Sequence, residues 1–126
     1  MKSMEHKHII IRANISKPPK DIRFIKKWMK KLIIAIGMRR LGGPLAVYCD
    51  DENNRGLTCL AILNTSHIAL HTWDEQSPGV LQLDIYSCGS LDRNVIIEYI
   101  QQYEPSNISY IVLDRATELR IEKHDI

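Results

Sequence analysis

The stretch LTCLAILNTSHIALHTW, residues 57–73, places two strand patterns one directly after the other. Its first part, LTCLAILN at 57–64, is apolar on both sides, with Leu57 and Cys59 alternating with Leu60 and Ile62. Such a pattern is typical of a strand that is covered on both faces of its sheet. SHIALHTW at 66–73 follows almost without a break and is predicted to be a further strand. Any fold for this chain must therefore cover both faces of the strand at 57–64.

Further elements surround this pair. Strands are predicted at residues 6–15, 43–50, 80–88 and 108–114, and the tail after them is charged. From Ile22 to Ile36 apolar residues recur at helical spacing, after a start signal at Ser16 and Pro18-Pro19. A second helix is expected after Ser90, which can cap it, and before Pro105, which ends it. Its apolar side runs from Leu91 to Ile100.

Two helices cannot cover both faces of a sheet this wide. The sequence therefore predicts an α+β fold, a two-layer α/β sandwich in which one antiparallel sheet carries both helices on one face. Residues 1–126 are expected to form one domain. A second copy packed sheet to sheet would cover the other face, so we expect a homodimer with αββα layers.

Composition excludes several classes of protein. The chain has 126 residues, of which 44% are hydrophobic and 25% charged, as in ordinary globular domains. It has no apolar run of membrane-spanning length and no secretory pattern at its start, MKSMEHKHII. Its three cysteines show no CxxC spacing, which argues against a disulfide framework or a structural zinc site. We expect a cytoplasmic protein.

The positive charge is concentrated in one segment. The formal net charge is only +2, but residues 17–40 carry nine lysines and arginines opposed by Asp21 alone. A basic stripe can attract a polyanion. No aromatic-rich or glycine-rich nucleic-acid motif accompanies it. We therefore expect a solvated helix face and no nucleic-acid partner.

Histidines raise the possibility of a metal site. On a strand, His67 and His71 point the same way, and so do His6 and His8. Two histidines do not make a site, and no carboxylate or cysteine occupies an obvious third position in sequence. No metal is expected.

Ser66 is the candidate for covalent chemistry. It lies where one apolar strand ends and the next begins, and a backbone kink there would expose its hydroxyl to the carbonyl carbon of Thr65. That geometry permits an N-to-O acyl shift, after which a base must remove the serine α-proton. His71 is a suitable base because imidazole titrates near neutral pH. An ordinary serine and histidine in a core remain the alternative.

Two blocks of sequence resemble a known family. TSHIALHTWDE (65–75) is similar to the ESHLTIHTWPE signature of the S-adenosylmethionine decarboxylase proenzyme family in its short prokaryotic form. LQLDIYSCG (81–89) resembles the segment of that family that ends in Asp-x-aromatic-Thr-Cys-Gly. The opening KHIII strand with His8 and the order of elements also match, so the resemblance covers nearly the whole chain.

The resemblance implies a self-processing precursor. Ser66 would cleave the bond between Thr65 and Ser66 and become a pyruvoyl group, the cofactor, with no pyridoxal phosphate and no metal. His71 matches the processing histidine of the family, and Thr58 matches a hydroxyl residue that assists processing. Thr65 replaces the usual glutamate, and its stiff β-branched side chain is expected to slow the shift.

The resemblance also implies the reaction. The pyruvoyl carbonyl would form a Schiff base with the amine of S-adenosylmethionine and accept the electrons that decarboxylation leaves on Cα. Cys88 matches the catalytic acid, and Glu75 matches a residue that contacts the substrate ribose. The product is the aminopropyl donor for spermidine synthesis. The alternatives are a pyruvoyl decarboxylase of ornithine or arginine, and a non-processing relative that binds a ligand or regulates a partner.

Overall fold

The computed structural model describes residues 5–125, so residues 1–4 and 126 of the predicted domain, with the start of the MKSMEHKHII segment, lie outside the described residues. The strands are β1 (Lys7–Ile15), β2 (Arg40–Cys49), β3 (Gly56–Leu63), β4 (Ser66–Trp73), β5 (Gly79–Ser87), β6 (Pro105–Asp114) and β7 (Arg120–Asp125). The helices are α1 (Ile22–Ala35) and α2 (Arg93–Ile100), and a 3-10 turn at Gln101–Tyr103 follows α2. All strands form one antiparallel sheet in the order β2-β3-β4-β5-β1-β6-β7.

One face of the sheet forms the core with both helices. Alternate residues of β1, such as Ile9 and Ile11, are buried together with Met29 and Leu32 of α1. Burying each of these large side chains contributes roughly 1.5–3 kcal/mol. The predicted two-layer α+β sandwich is confirmed. No helix within residues 5–125 is long and apolar enough to cross a membrane.

The opposite side of the sheet, called here the open face, carries exposed apolar side chains. Leu60 and Ile62 of β3 are 44% and 64% exposed, and Leu45 and Val47 of β2 are 66% and 54% exposed. The second apolar side predicted for the strand at 57–64 is therefore present. Among the described residues nothing covers it, because both helices lie on the other face.

The start of α1 differs from the prediction. The helix begins at Ile22 and is capped by Asp21, whose carboxylate accepts a hydrogen bond from the backbone N–H of Phe24 at 2.9 Å. The predicted start at Ser16 is wrong because that residue ends its strand by pairing with Glu104, through both its N–H and its hydroxyl. Asp21 therefore takes the N-cap position, three residues before the free N–H that it binds.

The predicted cap of α2 is wrong, and the charged tail forms a strand that was not predicted. Helix α2 is capped by Asp92, whose carboxylate accepts from the N–H groups of Asn94 and Val95, and not by Ser90. The charged tail forms the edge strand β7, which pairs with β6. All six of its residues are exposed, so no buried apolar pattern announces it.

Candidate active site

A two-residue turn, Asn64 and Thr65, joins β3 to β4 and leaves Leu63 paired with Ser66. Thr65 has a φ of +51°, in the left-handed region. That conformation costs a residue with a side chain about 1–2 kcal/mol. The kink expected at this point is present, and it falls on the residue whose carbonyl precedes Ser66.

The hydroxyl of Ser66 is held in place by two backbone groups. It donates to the carbonyl oxygen of Asn64 at 3.1 Å and accepts from the N–H of Cys88 at 3.1 Å. Ser66 is partly buried as the first residue of β4. These contacts hold the hydroxyl of the residue that the sequence predicts to attack the preceding peptide bond.

Cys88 completes a serine–cysteine cluster, defined as Thr65, Ser66 and Cys88. Its sulfur lies 3.1 Å from the hydroxyl oxygen of Thr65 and 3.4 Å from the carbonyl oxygen of Asn64. A hydrogen bond from the Thr65 side chain, and then one from Ser66, lower the pKa of the Cys88 thiol, and partial burial opposes them only in part. The thiol therefore gives up its proton more readily than an ordinary cysteine.

His71 and Thr58 form a second cluster, farther along the same hairpin. They face each other across β3 and β4, and the Nδ1 atom of His71 lies 3.0 Å from the hydroxyl oxygen of Thr58. The two strands approach closely here, since a Cβ atom on Gly56 would lie 1.6 Å from the carbonyl oxygen of Thr72. Only glycine allows this approach, which keeps Thr58 in register with His71.

The structure does not bring His71 to Ser66 within one chain. The two residues are five positions apart on β4, which corresponds to about 16 Å at the rise of a strand. Ser66 shares its side of the strand with the buried Ile68 and Leu70, and His71 lies on the open face. A single copy therefore separates the nucleophile from its predicted base.

Glu75 lies beyond the carboxyl end of β4, at the same end of the sheet as His71. Its carboxylate accepts from the backbone N–H of Asn53 at 3.0 Å and forms an ion pair with Arg55. Arg55 also pairs with Asp50, with 2.8 Å between nitrogen and oxygen. A cavity of about 190 Å³ is bordered by Asn53, Arg55, Glu75 and Trp73. Sequence reasoning missed Arg55 because the polar loop at 50–56 gave no sign that it folds back onto Glu75.

The open face also holds a polar cluster that sequence reasoning missed. Asp84 accepts hydrogen bonds from the Nε2 atoms of His8 and His67, each at 3.0 Å from the same carboxylate oxygen. Burial raises the pKa of Asp84, but the hydrogen bonds from the two histidines outweigh it and the net pKa is lowered. Spacing along a single strand pairs His6 with His8 and His67 with His71. The cluster instead joins His8 to His67, because the sheet order places β1 and β4 on either side of β5.

The fold and the site together define a two-layer α+β protein with a serine held against a tight turn at one end of the sheet. Comparison with known proteins gives the same class. A family model described as S-adenosylmethionine decarboxylase matches residues 7–116. In structure the chain is similar to an adenosylmethionine decarboxylase from Aquifex aeolicus, with a TM-score of 0.68, 21% identity and coverage of 99% of this chain and 100% of that one.

Two relatives by sequence carry the name S-adenosylmethionine decarboxylase proenzyme. One, from Pyrobaculum islandicum, is 30% identical over 75% of this chain and 68% of its own length. The other, from Archaeoglobus fulgidus, is 31% identical over 51% of this chain. The match spans 57% of the Archaeoglobus fulgidus relative, a little over half its length. The chain belongs to the S-adenosylmethionine decarboxylase family.

Proposed function

We propose that this chain is a self-processing, pyruvoyl-dependent decarboxylase of S-adenosylmethionine that supplies the aminopropyl donor for spermidine synthesis in the cytoplasm. The observation that carries the proposal is the serine–cysteine cluster, in which the hydroxyl of Ser66, the residue after the kinked Thr65, is held by Asn64 and Cys88. The family and the names of the relatives support the substrate.

Processing begins with Ser66. Its oxygen attacks the carbonyl carbon of Thr65, the bond from that carbon to the nitrogen of Ser66 breaks, and an ester joins the two residues. A base then removes the α-proton of Ser66, and Thr65 leaves as a carboxylate. Hydrolysis releases the nitrogen as ammonia and leaves a pyruvoyl group at residue 66. Cleavage also releases the left-handed conformation of Thr65, which favours the product side.

The residues of the cluster fit a pyruvoyl group. The N–H of Cys88 already points at the oxygen of Ser66, and the Cys88 thiol lies on the same side of the turn. When formed, the group supplies a carbonyl that accepts electrons during decarboxylation. In this proposal Cys88, whose thiol has a lowered pKa, returns a proton to the substrate Cα.

A homodimer accounts for the separation between Ser66 and His71. Two copies that pack open face to open face would bury Leu60 and Ile62, which are exposed in one chain. If the two-fold axis reverses the strand direction, the end of the sheet that carries Ser66 meets the opposite end of the other copy. His71 of the partner subunit would then serve as the base, with αββα layers overall.

The loop around Arg55 bears on a second class of substrate, the basic amino acids. Glu75 lines the cavity beside Trp73 and is paired with Arg55, which also pairs with Asp50. A carboxylate in the wall of a cavity suits a cationic side chain. The alternative substrates are therefore ornithine and arginine, with the same pyruvoyl chemistry.

Intact mass spectrometry of the purified protein tests the proposal. We expect two fragments, residues 1–65 and a second chain that begins with a pyruvoyl group at position 66. The Ser66→Ala variant should remain one full-length chain. A wild-type protein that stays full-length after prolonged incubation would instead favour a non-processing relative that binds a ligand.

A further inference from the structure

We propose that His8, His67 and Asp84 form a binding site for one divalent transition-metal ion such as zinc, cobalt or nickel. The three side chains come from the neighbouring strands β1, β4 and β5, and all lie on the open face. One ligand atom from each lies within 4.8 Å of the other two. Two imidazoles and one carboxylate are a ligand set that these metals accept.

The backbone brings the three ligands together before any ion binds. His8 and His67 are both directly opposite Tyr86 in their respective ladders, one on each side of β5. Asp84 lies two residues before Tyr86 on the same face, and both histidines turn their Nε2 atoms to one of its oxygens. An ion with bonds of about 2.0–2.2 Å needs only a small outward movement of each side chain.

The chemistry of the ligands favours a transition metal over magnesium or calcium. Magnesium and calcium prefer all-oxygen ligands, whereas imidazole nitrogens suit zinc, cobalt and nickel. In the single chain His67 leaves about half of its side chain exposed, so an ion has a path of entry before two copies pack open face to open face.

Arg115 acts against metal binding in this arrangement. Its guanidinium donates to the Nδ1 atom of His8 at 3.3 Å and lies 4.1 Å above the ring of Tyr86. The proton of neutral His8 is therefore on Nε2, where it bonds Asp84. An ion at Nε2 would move that proton to Nδ1, facing the guanidinium, so Arg115 must swing away. Arg115 is exposed, so its side chain has room to swing away into solvent.

Titration of the full-length protein with cobalt, followed by visible absorption, tests the site. We expect saturable binding of one ion per chain. His67→Ala and Asp84→Asn should each weaken it at least tenfold, because each removes a ligand. His124→Ala removes an exposed histidine of the edge strand β7, outside the cluster, and should leave the affinity unchanged. Circular dichroism establishes that each variant is folded.

Arg115→Gln provides a test by gain of affinity. Its side-chain oxygen can accept the Nδ1 proton of metal-bound His8, so we expect binding severalfold tighter than in the wild type. Absence of saturable cobalt binding, or equal affinity in wild type and His67→Ala, would overturn the site. Unchanged or weaker binding in Arg115→Gln would overturn the role of Arg115. The titration reads binding directly, so its result is independent of whether Ser66 is processed.

Discussion

Ser66 and His71 share strand β4, yet they lie about 16 Å apart with their side chains on opposite faces of the sheet. The hydroxyl of Ser66 is fixed by Asn64 and Cys88, and His71 is fixed by Thr58. Neither side chain can reach the other without breaking the sheet. This separation makes the proposed enzyme depend on two copies for a single reaction.

Subunit sharing predicts complementation between two inactive variants. Ser66→Ala lacks the nucleophile and His71→Ala lacks the base, so each protein alone should remain full-length. When they are co-expressed, the His71→Ala chain should be cleaved, because a Ser66→Ala partner supplies its histidine. With random pairing, up to about half of the His71→Ala chains should be cleaved.

The matched control for complementation is the Ser66→Ala, His71→Ala double variant as the partner, which offers no histidine and should give no cleavage. Distinct affinity tags identify the cleaved chain by mass. A His71→Ala chain that is cleaved when expressed alone would show that this histidine is not the base. A chain that remains intact beside Ser66→Ala would contradict the shared site.

A charge on the open face is expected to weaken the proposed dimer. Ile62→Asp places a charge on an apolar side chain that is 64% exposed in one chain and buried in the proposed dimer. We expect dimerisation to weaken at least tenfold, because an unpaired charge is costly to bury, and processing should slow with it. Sedimentation velocity and intact mass measure the two effects.

Ile34→Asp is the control for that experiment, because Ile34 is 76% exposed on the outer side of α1. It introduces the same charge on the opposite layer and should leave the molecular mass in solution unchanged. Equal masses for wild type and Ile62→Asp would show that the open face is not the interface.

Removing the hydroxyl of Thr65 is expected to raise the pKa of the Cys88 thiol. That hydroxyl is the main cause of the lowered pKa of the thiol. Thr65→Val, made in the Ser66→Ala background so that the chain stays intact, should raise the pKa of Cys88 toward the ordinary value of about 8.5. Alkylation at a given pH below that value should become slower, since less thiolate is present.

Peptide mapping of the alkylated protein separates Cys88 from the other thiols. Cys59 serves as an internal reference, because burial raises the pKa of its thiol to about 11 and it should stay unreactive near neutral pH. A Cys88 rate that rises in Thr65→Val would contradict the assignment of the shift to that hydrogen bond.

Glu75 predicts a defect in substrate binding. If its carboxylate contacts the ribose, Glu75→Gln should raise KM for S-adenosylmethionine roughly 10- to 100-fold, the equivalent of a hydrogen bond to a charged group. The value of kcat should change little. Asp50→Asn tests the loop instead, because Asp50 also pairs with Arg55. If KM rises equally in Glu75→Gln and Asp50→Asn, the effect comes from a change in the position of Arg55 and not from contact between Glu75 and the ribose.

Strong patterns made much of the fold predictable from sequence. The alternation in β5 and the two-sided apolar strand β3 determine a sheet with a covered face and an apolar open face. The edge strand β7 was not predictable, because it gains stability from backbone pairing with β6 and buries no side chain. The helix caps at Asp21 and Asp92 were also not predictable, because several nearby residues carry oxygens and only the structure shows which one reaches the free N–H groups.

The candidate site was predictable only in part, for a reason of topology. Thr65 and Ser66 are neighbours in sequence, and the turn between the strands was visible there. The meeting of His8 with His67 at Asp84 depends on β1 lying beside β5, which no local pattern encodes. The distance between Ser66 and His71 follows from the rise of a strand. The proposal that two copies share the site also needs the exposed apolar side chains of the open face, which only the structure shows.

The most direct measurement of the central claim is trapping of substrate on the processed chain. The protein is incubated with S-adenosylmethionine and sodium cyanoborohydride and then weighed by mass spectrometry, with ornithine and arginine in parallel. We predict covalent attachment to the fragment 66–126, strongest with S-adenosylmethionine and absent in Ser66→Ala. An unmodified, uncleaved chain of 126 residues under all three conditions would contradict the account.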